Sequence, residues 1–294
     1  MTSDVLHLKP KSDKVNAKNL GFSALVHGNE ILGLPILNTL IRALLNGTLR
    51  SSHSFYFALG NLEAFHRNVR FVEKDLNRCF GLKEATNGEE RRAKELEVHF
   101  LNHLDYLIDL HQTVQASFEP FFIFQYSSPM CYRHLAKMNR NFSVVLQFDN
   151  IGDDQGLSTD EYLRSRGKFG VALELGQLGW SESQFKNGLQ ACLRLVANAD
   201  QDVPGKMDGA QIFEIAERFP CPLDDVILRS ELVNFSSVEK DEIVGQSGVE
   251  FVRAPRGGRV LFPKLNRLVK SSENLFFICS EIPNARKSEL GFEL

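Results

Sequence analysis

The sequence predicts an α/β domain with a mixed central sheet and flanking helices, followed by a small β-rich C-terminal domain. Short apolar runs alternate with helix-period segments as far as Ala199, and this alternation is typical of sheets covered by helices. After that residue, strand-like runs follow one another with only turn residues between them. A polar stretch with Pro204 and Gly205 separates the two patterns. We therefore place a catalytic domain at 1–205 and a β-rich domain at 206–294.

Each predicted strand is a short apolar run bounded by turn residues. In chain order these runs are 20–26, 53–59, 106–110, 121–126, 142–148 and 171–175, and then 226–235, 249–253, 259–262 and 275–282. Three segments have the apolar period of a helix instead. They are 31–45, 88–104 and 182–199. Ligands bind to open α/β sheets where strands end, so polar residues at strand ends are the first candidates for a site.

The composition is that of an ordinary globular protein. The chain has 294 residues, 43% of them hydrophobic, which is sufficient for a large core. A formal net charge of −3 provides no basic excess for a phosphate backbone, so nucleic acid is not an expected partner. No apolar run spans a bilayer and no secretory h-region is present, so we expect a cytoplasmic protein without a membrane partner. The five cysteines include no CxxC pair, which argues against a disulfide framework.

The first polar candidates are His27 and Glu30, in the sequence HGNE directly after the strand 20–26. An imidazole and a carboxylate three residues apart, where a strand turns into a helix, can converge on one cation. The same pair also fits a plain turn histidine followed by a carboxylate that favours a helix N-terminus. The motif alone leaves both interpretations open.

The second candidate is His111, at the end of the strand 106–110, with Asp109 two residues before it. Side chains two residues apart on a strand share a face, and metal-binding histidines usually donate their other N–H to a carboxylate. Asp109 can serve either His111 or His27 in this way. A histidine satisfied within the core is the alternative.

The third candidate is Glu174, a lone carboxylate in the apolar strand VALEL. Burial of such a group is costly unless a partner compensates it. Beside a hydrolytic zinc ion it could accept a proton from water and pass it to a leaving amine. A carboxylate that reaches solvent at the strand end is the simpler alternative.

The fourth candidate is the polar stretch 68–78, NVRFVEKDLNR, which has little apolar periodicity. Arg70 suits the negative charge of a developing oxyanion, and Arg78 suits a bidentate contact with a carboxylate. The stretch is typical of a functional loop, although a solvated charged loop has the same composition.

Together, these motifs resemble the succinylglutamate desuccinylase and aspartoacylase family, a branch of the zinc carboxypeptidase-like hydrolases. The resemblance covers residues 20–200, and the order and local spacing of the motifs both agree. The matching segments are HGNE at 27–30, NxRxxxxDLNR at 68–78, DLH at 109–111, Arg164 in GLSTDEYLR and ELG at 174–176.

The resemblance implies a role for each of these residues. The expected ligands of one Zn²⁺ ion are His27, Glu30 and His111. Glu174 is the expected general base and acid, and Arg70 is expected to polarise the scissile carbonyl. The expected contacts with substrate carboxylates come from Asn77, Arg78 and Arg164. Asp75 and Asp109 are expected to contact the ligand residues rather than the ion, and so to orient them.

By this resemblance the chain is a zinc-dependent amidohydrolase that cleaves a small anionic N-acyl amino acid. A metallocarboxypeptidase that acts on peptides or peptidoglycan fragments is the alternative, because it would use the same metal ligands. A binding protein that has lost turnover is a third, non-enzymatic reading. Animal aspartoacylases contact substrate through a C-terminal tyrosine, whereas the last tyrosine here is Tyr162. Arg253, Arg256 and Arg259 are candidates for that entrance or for a solvated turn. The oligomeric state stays open, and a homodimer is compatible with the sequence.

Overall fold

The computed structural model describes residues 4–9, 16–125, 130–147, 156–203, 207, 209–265, 268–271 and 273–290. Within these residues the chain forms an 11-stranded mixed sheet, flanking helices and a separate 3-stranded antiparallel sheet. This architecture confirms the predicted α/β class with β-rich C-terminal strands.

The strands and helices have the following bounds. The strands are β1 Val5–Leu8, β2 Asn19–Ala24, β3 Ser54–Leu59, β4 Tyr106–Thr113, β5 Phe121–Gln125, β6 Ser143–Gln147, β7 Phe169–Gln177, β8 Ile212–Pro220, β9 Ile227–Leu228, β10 Ser237–Val238, β11 Ile243–Ser247, β12 Glu250–Arg253, β13 Gly258–Leu261 and β14 Asn274–Glu281. The helices are α1 Gly33–Leu45, α2 Leu62–Arg67, α3 Gly88–His99, α4 Met130–Ala136, α5 Thr159–Ser165, α6 Glu182–Asn198 and α7 Asn284–Glu289. Among these described helices, none combines the length and the apolar character that crossing a membrane requires.

The large sheet has the strand order β1-β3-β2-β4-β7-β5-β6-β8-β14-β13-β10. Strands β3, β2, β4 and β7 run parallel to one another. The direction reverses at β5, which is antiparallel to β7 and parallel to β6. The carboxyl ends of β2, β4 and β7 therefore meet at one edge, and ligand sites of α/β sheets lie at such an edge.

Helices cover both faces of the parallel strands. Phe22 and Ile108 point to the face on which α1 and α6 pack. Leu107 points to the opposite face, where Leu96 of α3 and Tyr162 of α5 belong to the same cluster. Alternate residues of a strand face opposite sides, so the α1/α6 face of β2 and β4 is apolar, whereas the opposite face carries Leu107 together with the buried polar residues Asp109 and His111.

The predicted strand 226–235 is wrong over most of its length, since only the two residues of β9 form a strand and Val226 adds an isolated bridge to Val269. The segment after Arg229 forms successive turns instead. The N–H of Leu232 donates to the carbonyl of Arg229, and the N–H of Ser236 donates to that of Val233. Leu232 is buried all the same, so the apolar residues of this segment pack from turns rather than from a strand.

The predicted domain boundary lies between two strands that belong to one sheet. Strand β8 from the C-terminal segment pairs in parallel with β6, and β14 then pairs with β8. The division into 1–205 and 206–294 stays a prediction. The strand pairing has a direct consequence for the site, because it brings C-terminal side chains beside the carboxyl ends of the parallel strands.

Candidate metal centre and active site

Two neighbouring parallel strands deliver the two predicted ligand histidines. His111 lies within β4, and His27 follows the end of β2 by three residues. Between β2 and His27 the chain turns at Leu25, which has a left-handed φ of 61°. That conformation is uncommon for a bulky residue, and it directs the HGNE segment away from the strand and toward α1.

Glu30 lies between the two imidazoles. Its Oε1 is 2.8 Å from Nδ1 of His27, and its Oε2 is 2.8 Å from Nδ1 of His111. The backbone N–H of Gln112 donates to Oε2 at 3.1 Å and fixes the carboxylate. All three side chains are buried, and they offer ligand atoms within 4.8 Å of one another. The structure thus brings together the three residues predicted to bind the metal.

The other nitrogen of each imidazole faces a second carboxylate. Nε2 of His27 is 3.0 Å from Oδ1 of Asp75, and Nε2 of His111 is 2.9 Å from Oδ2 of Asp109. Metal-binding histidines are commonly oriented in this way, with one nitrogen toward the ion and the other toward a carboxylate. Of the two histidines that Asp109 could serve, it contacts His111, and Asp75 takes the corresponding place beside His27.

The charges of this cluster fit a divalent cation. Arg70 is 3.2 Å from both Glu30 and Asp75, and Asp109 beside His111 adds a third carboxylate, so the cluster contains one guanidinium and three carboxylates. Two negative charges are in excess when both imidazoles are neutral. Burial disfavours a charged imidazole at His111, but the Asp109 and Glu30 carboxylates overcome this effect and raise its pKa well above the ordinary value. Two imidazole nitrogens and one carboxylate oxygen are also the protein ligands of many hydrolytic zinc sites.

Glu174 lies directly beside this cluster. It is the register partner of His111 across β4 and β7, so the two side chains project from the same face of the sheet. Its Oε2 atom is buried and has no hydrogen-bond partner among the described residues. Burial raises the pKa of the Glu174 carboxyl to about 7, and the Glu30 charge adds to the increase. A carboxyl with that pKa is suited to exchange a proton with a reactant.

The loop that carries Arg70 is fixed from two sides. The N–H of Gly28 donates to the carbonyl of Arg70 at 3.0 Å, which ties the loop to the HGNE segment. Glu89 of α3 is buried and accepts the N–H of Val72 at 2.7 Å and the amide of Asn61 at 3.1 Å. The guanidinium of Arg70 is therefore presented to the centre by a constrained backbone.

The predicted substrate residues lie around the same cavity. Asn77 accepts the N–H of Thr159 through its side-chain oxygen at 3.0 Å. Arg164 is buried, and its Nη1 donates to Asp160 at 2.5 Å and to the Gly170 carbonyl at 2.7 Å. The cavity has a volume of about 660 Å³, and its lining includes eight predicted residues: His27, Glu30, Arg70, Asn77, Arg78, His111, Arg164 and Glu174.

Sequence reasoning did not anticipate Gln112. Its buried side chain accepts the N–H of Leu32 at 3.0 Å and donates to the carbonyl of Gln177 at 2.8 Å. It therefore joins the start of α1 to the ends of β4 and β7. Its position next to His111 was the available signal.

The C-terminal wall of the cavity was also missed. It consists of Ile215, Phe262, Pro263, Lys264, Leu265 and Phe277. The three arginines proposed for the entrance lie outside this lining, and each donates to a nearby oxygen instead. The acceptors of Arg253, Arg256 and Arg259 are Asp241 O, Ser280 Oγ and Phe235 O.

Gly28 is required by the close approach of α2 to the HGNE segment. A Cβ atom at this position would lie 2.2 Å from the backbone carbon of Ala64. We expect Gly28→Ala to lower the free energy of unfolding by about 1–3 kcal/mol, because overpacking shifts the backbone. Urea denaturation measures this value. The matched control is Gly88→Ala, where the nearest atom is 3.7 Å from the added Cβ, and its change should stay within about 0.5 kcal/mol. A Gly28→Ala protein as stable as the control would contradict the prediction.

Residues 16–199 match the sequence profile of the succinylglutamate desuccinylase/aspartoacylase catalytic domain. Succinylglutamate desuccinylase of Pseudomonas aeruginosa is 28% identical to the chain over 289 residues, which cover 90% of this chain and 85% of the relative.

Solved structures share the fold. Succinylglutamate desuccinylase from Chromobacterium violaceum superposes with a TM-score of 0.73 at 23% identity, covering 95% of this chain and 89% of that one. Murine aminoacylase 3 superposes with a TM-score of 0.67 at 19% identity, covering 92% and 97%. The match to the catalytic-domain profile spans more than half of the chain, and it confirms the resemblance that the motifs indicated. The chain belongs to the succinylglutamate desuccinylase/aspartoacylase family of amide hydrolases.

Proposed function

We propose that the protein is a zinc-dependent deacylase that hydrolyses the amide bond of an anionic N-acyl amino acid. The observation that carries this proposal is the convergence of His27, Glu30 and His111 within 4.8 Å, with Glu174 in register beside His111. Family membership supports the amide hydrolysis, and the geometry supports the roles of the individual residues.

His27, Glu30 and His111 would hold a single Zn²⁺ ion. When bound, such an ion acts as a Lewis acid that makes water more acidic and withdraws electron density from a carbonyl. Asp75 and Asp109 each accept an N–H from Nε2 of an imidazole. With neutral imidazoles in the metal-loaded protein, this contact would leave the lone pair on Nδ1, which is the atom that faces Glu30 in both histidines.

Glu174 and Arg70 would carry the proton transfer and the charge stabilisation. The Glu174 carboxylate accepts a proton from the attacking water and later donates it to the departing nitrogen, a role that its raised pKa supports. Arg70 stabilises the negative charge that develops on the carbonyl oxygen. Its contacts with Glu30 and Asp75 hold the guanidinium beside the metal ligands.

Asn77, Arg78 and Arg164 would form the carboxylate-binding end of the cavity. Arg78 supplies a guanidinium that can bind a carboxylate in two places. The Asn77 side chain is bound to the N–H of Thr159, so the two segments that line this end are connected. An N-acyl amino acid always offers one carboxylate, which this end accommodates.

The metallocarboxypeptidase alternative is not favoured. The relatives reported above are two desuccinylases and an aminoacylase rather than peptidases. The C-terminal residues Phe262, Leu265 and Phe277 also form a wall of the cavity, which favours a small substrate over a peptide in an open groove. A cytoplasmic location and a homodimer stay predictions.

Metal analysis and a hydrolysis panel test the proposal. Protein loaded with zinc and then desalted should retain about one ion per chain and should release amino acid from N-acetyl, N-succinyl and longer N-acyl derivatives. Chelation should abolish this activity, and added zinc should restore it. A folded protein that retains zinc and hydrolyses none of these compounds would refute the deacylase.

Asp109→Asn is expected to weaken zinc binding by about 10- to 100-fold, because an amide orients the His111 imidazole less strongly than a carboxylate does. Competition with a chromogenic chelator measures the affinity. Asp202→Asn is the control, since that side chain is 94% exposed and lies outside the cavity lining. Equal affinities of the two variants would contradict the role of Asp109.

A further inference from the structure

The sheet face that carries Glu174 continues away from the metal centre as an apolar surface. Ile123 is the register partner of Ala172, two residues before Glu174 on the same face. Strand pairing extends that face to Ile215 on β8 and Phe277 on β14, three and four strands from β7. With neighbouring strands about 4.8 Å apart, the surface extends roughly 14–19 Å from Glu174.

These side chains belong to the cavity rather than to the sealed core. Ile123, Ile215, Phe262 and Phe277 line it, and all four are only partly buried. Each packs on its inner side against a fully apolar cluster that includes Phe121, the register partner of Glu174. They therefore present apolar surface to a ligand in the part of the cavity that these four residues line, the apolar half.

Phe262 is held in this wall by a strained backbone. Its φ is 53°, a left-handed conformation that is unfavourable for an aromatic residue. The N–H of Phe262 donates to the buried side chain of Asn234 at 2.7 Å, and Asn234 in turn donates to the carbonyl of Gln115 at 3.0 Å. Strain of this kind persists where the surroundings fix it, and it commonly occurs at ligand sites.

The positive charges around the cavity are largely neutralised within the chain. Arg70 pairs with Glu30 and Asp75, and Arg164 pairs with Asp160. Arg78 donates to the carbonyl of Asn77 and forms no ion pair with a carboxylate among the described residues, although its charge helps to lower the pKa of Asp75. Its guanidinium is therefore the one best placed to bind a substrate carboxylate.

The apolar half also contains two polar side chains. Lys264 lies 2.8 Å from Glu273, which neutralises its charge, and Gln147 is uncharged. A second substrate carboxylate would therefore meet a mostly apolar wall there, without an unpaired cation among the described side chains.

We propose that the substrate is an N-acyl amino acid with a single carboxylate at Arg78 and an apolar acyl group, a medium-length alkyl or aryl chain, along Ile123, Ile215 and Phe277. This inference rests on the proposed deacylase function. It specifies the acyl group, because burial of each methylene against such a wall favours binding, whereas a carboxylate buried there without a partner is penalised.

The test is an acyl series on the zinc-loaded full chain. Values of kcat/KM are measured for the N-acetyl, N-succinyl, N-octanoyl and N-benzoyl derivatives of glutamate, aspartate and alanine. We expect the alanine derivatives, whose amino acid has a single carboxylate, to exceed those of glutamate and aspartate. Octanoyl or benzoyl alanine should exceed acetyl and succinyl alanine at least tenfold, since each buried methylene contributes up to about fourfold. An acetyl or succinyl preference would overturn the inference and leave the deacylase intact. Hydrolysis of none of the compounds would overturn the deacylase itself.

Two variants test the wall directly. Phe277→Ala and Ile215→Ala should each lower the octanoyl-to-acetyl ratio of kcat/KM by about tenfold. Two positions are used so that a folding defect at one does not remove the test. Phe251→Ala is the control, because Phe251 is 59% exposed on β12 and outside the cavity lining, and it should leave the ratio unchanged. If both wall variants fold and have the same octanoyl-to-acetyl ratio of kcat/KM as the control, the placement of the acyl group along this wall is overturned.

Discussion

Glu174→Gln is expected to lower kcat by about 10²- to 10⁴-fold without loss of zinc. The amide has nearly the same shape as the carboxylate, but it cannot accept a proton from water or return one to the leaving nitrogen, and positioned acid–base groups contribute about this factor. The metal ligands are separate residues, and Glu174, although in register with His111, forms no hydrogen bond with a ligand residue in the part of the chain that the structure describes. The effect should therefore appear in kcat and not in metal content.

Steady-state kinetics gives the kcat of Glu174→Gln, and metal analysis of the same samples gives its zinc content. Glu182→Gln provides the matched control, since its side chain is 71% exposed on α6 and forms only a surface ion pair with Lys186. Exposed pairs of this kind contribute little, so wild-type kinetics are expected. A zinc-loaded Glu174→Gln protein with a kcat close to that of the control would disprove the proton-transfer role.

His111→Ala is expected to abolish stable zinc binding and to reduce hydrolysis to background. The substitution removes one of three proposed ligands, and it also leaves Glu30 and Asp109 without the imidazole that lies between them. Glu30 keeps His27 and Arg70, but Asp109 loses the charged partner that the structure shows. A buried carboxylate without such a partner is strongly destabilising, so the thermal midpoint should fall as well.

Zinc content after desalting, activity and the thermal midpoint are the three measurements for His111→Ala. His66→Ala is the control, because His66 is an exposed residue of α2 outside the cavity lining, and it should match the wild type in all three. Full zinc retention by the His111 variant would rule out this ligand set.

The polar motifs were predictable from the sequence because their positions follow from local patterns. His27 and Glu174 lie at or near the carboxyl ends of apolar runs, and parallel strands bring such ends to one edge. The HGNE and DLH motifs then needed only the family resemblance to become a specific hypothesis. The pairing of Asp75 with His27 depends on how a distant loop folds back, and strand patterns carry no information about that.

Two other features were not predictable for physical reasons. The segment 88–104 was predicted as an amphipathic helix, yet Glu89 is buried and binds the backbone of the loop that holds Arg70. An amphipathic pattern does not distinguish a carboxylate in water from one that caps a loop. Likewise, Phe262 and Phe277 are ordinary apolar residues of a β segment. Only long-range strand pairing places them in the same cavity as Glu174, which lies 88 positions before Phe262 and 103 before Phe277.

The continuity of the large sheet across β6 and β8 has a further consequence. Strand β8 bonds to the outer side of β6, and β14, β13 and β10 extend the sheet from there. Without the residues after Ile212, the main chain of β6 would present a row of unbonded amide and carbonyl groups, the kind of border along which separate molecules join and aggregate. The C-terminal segment thus covers this border of the sheet as well as forming part of the cavity wall.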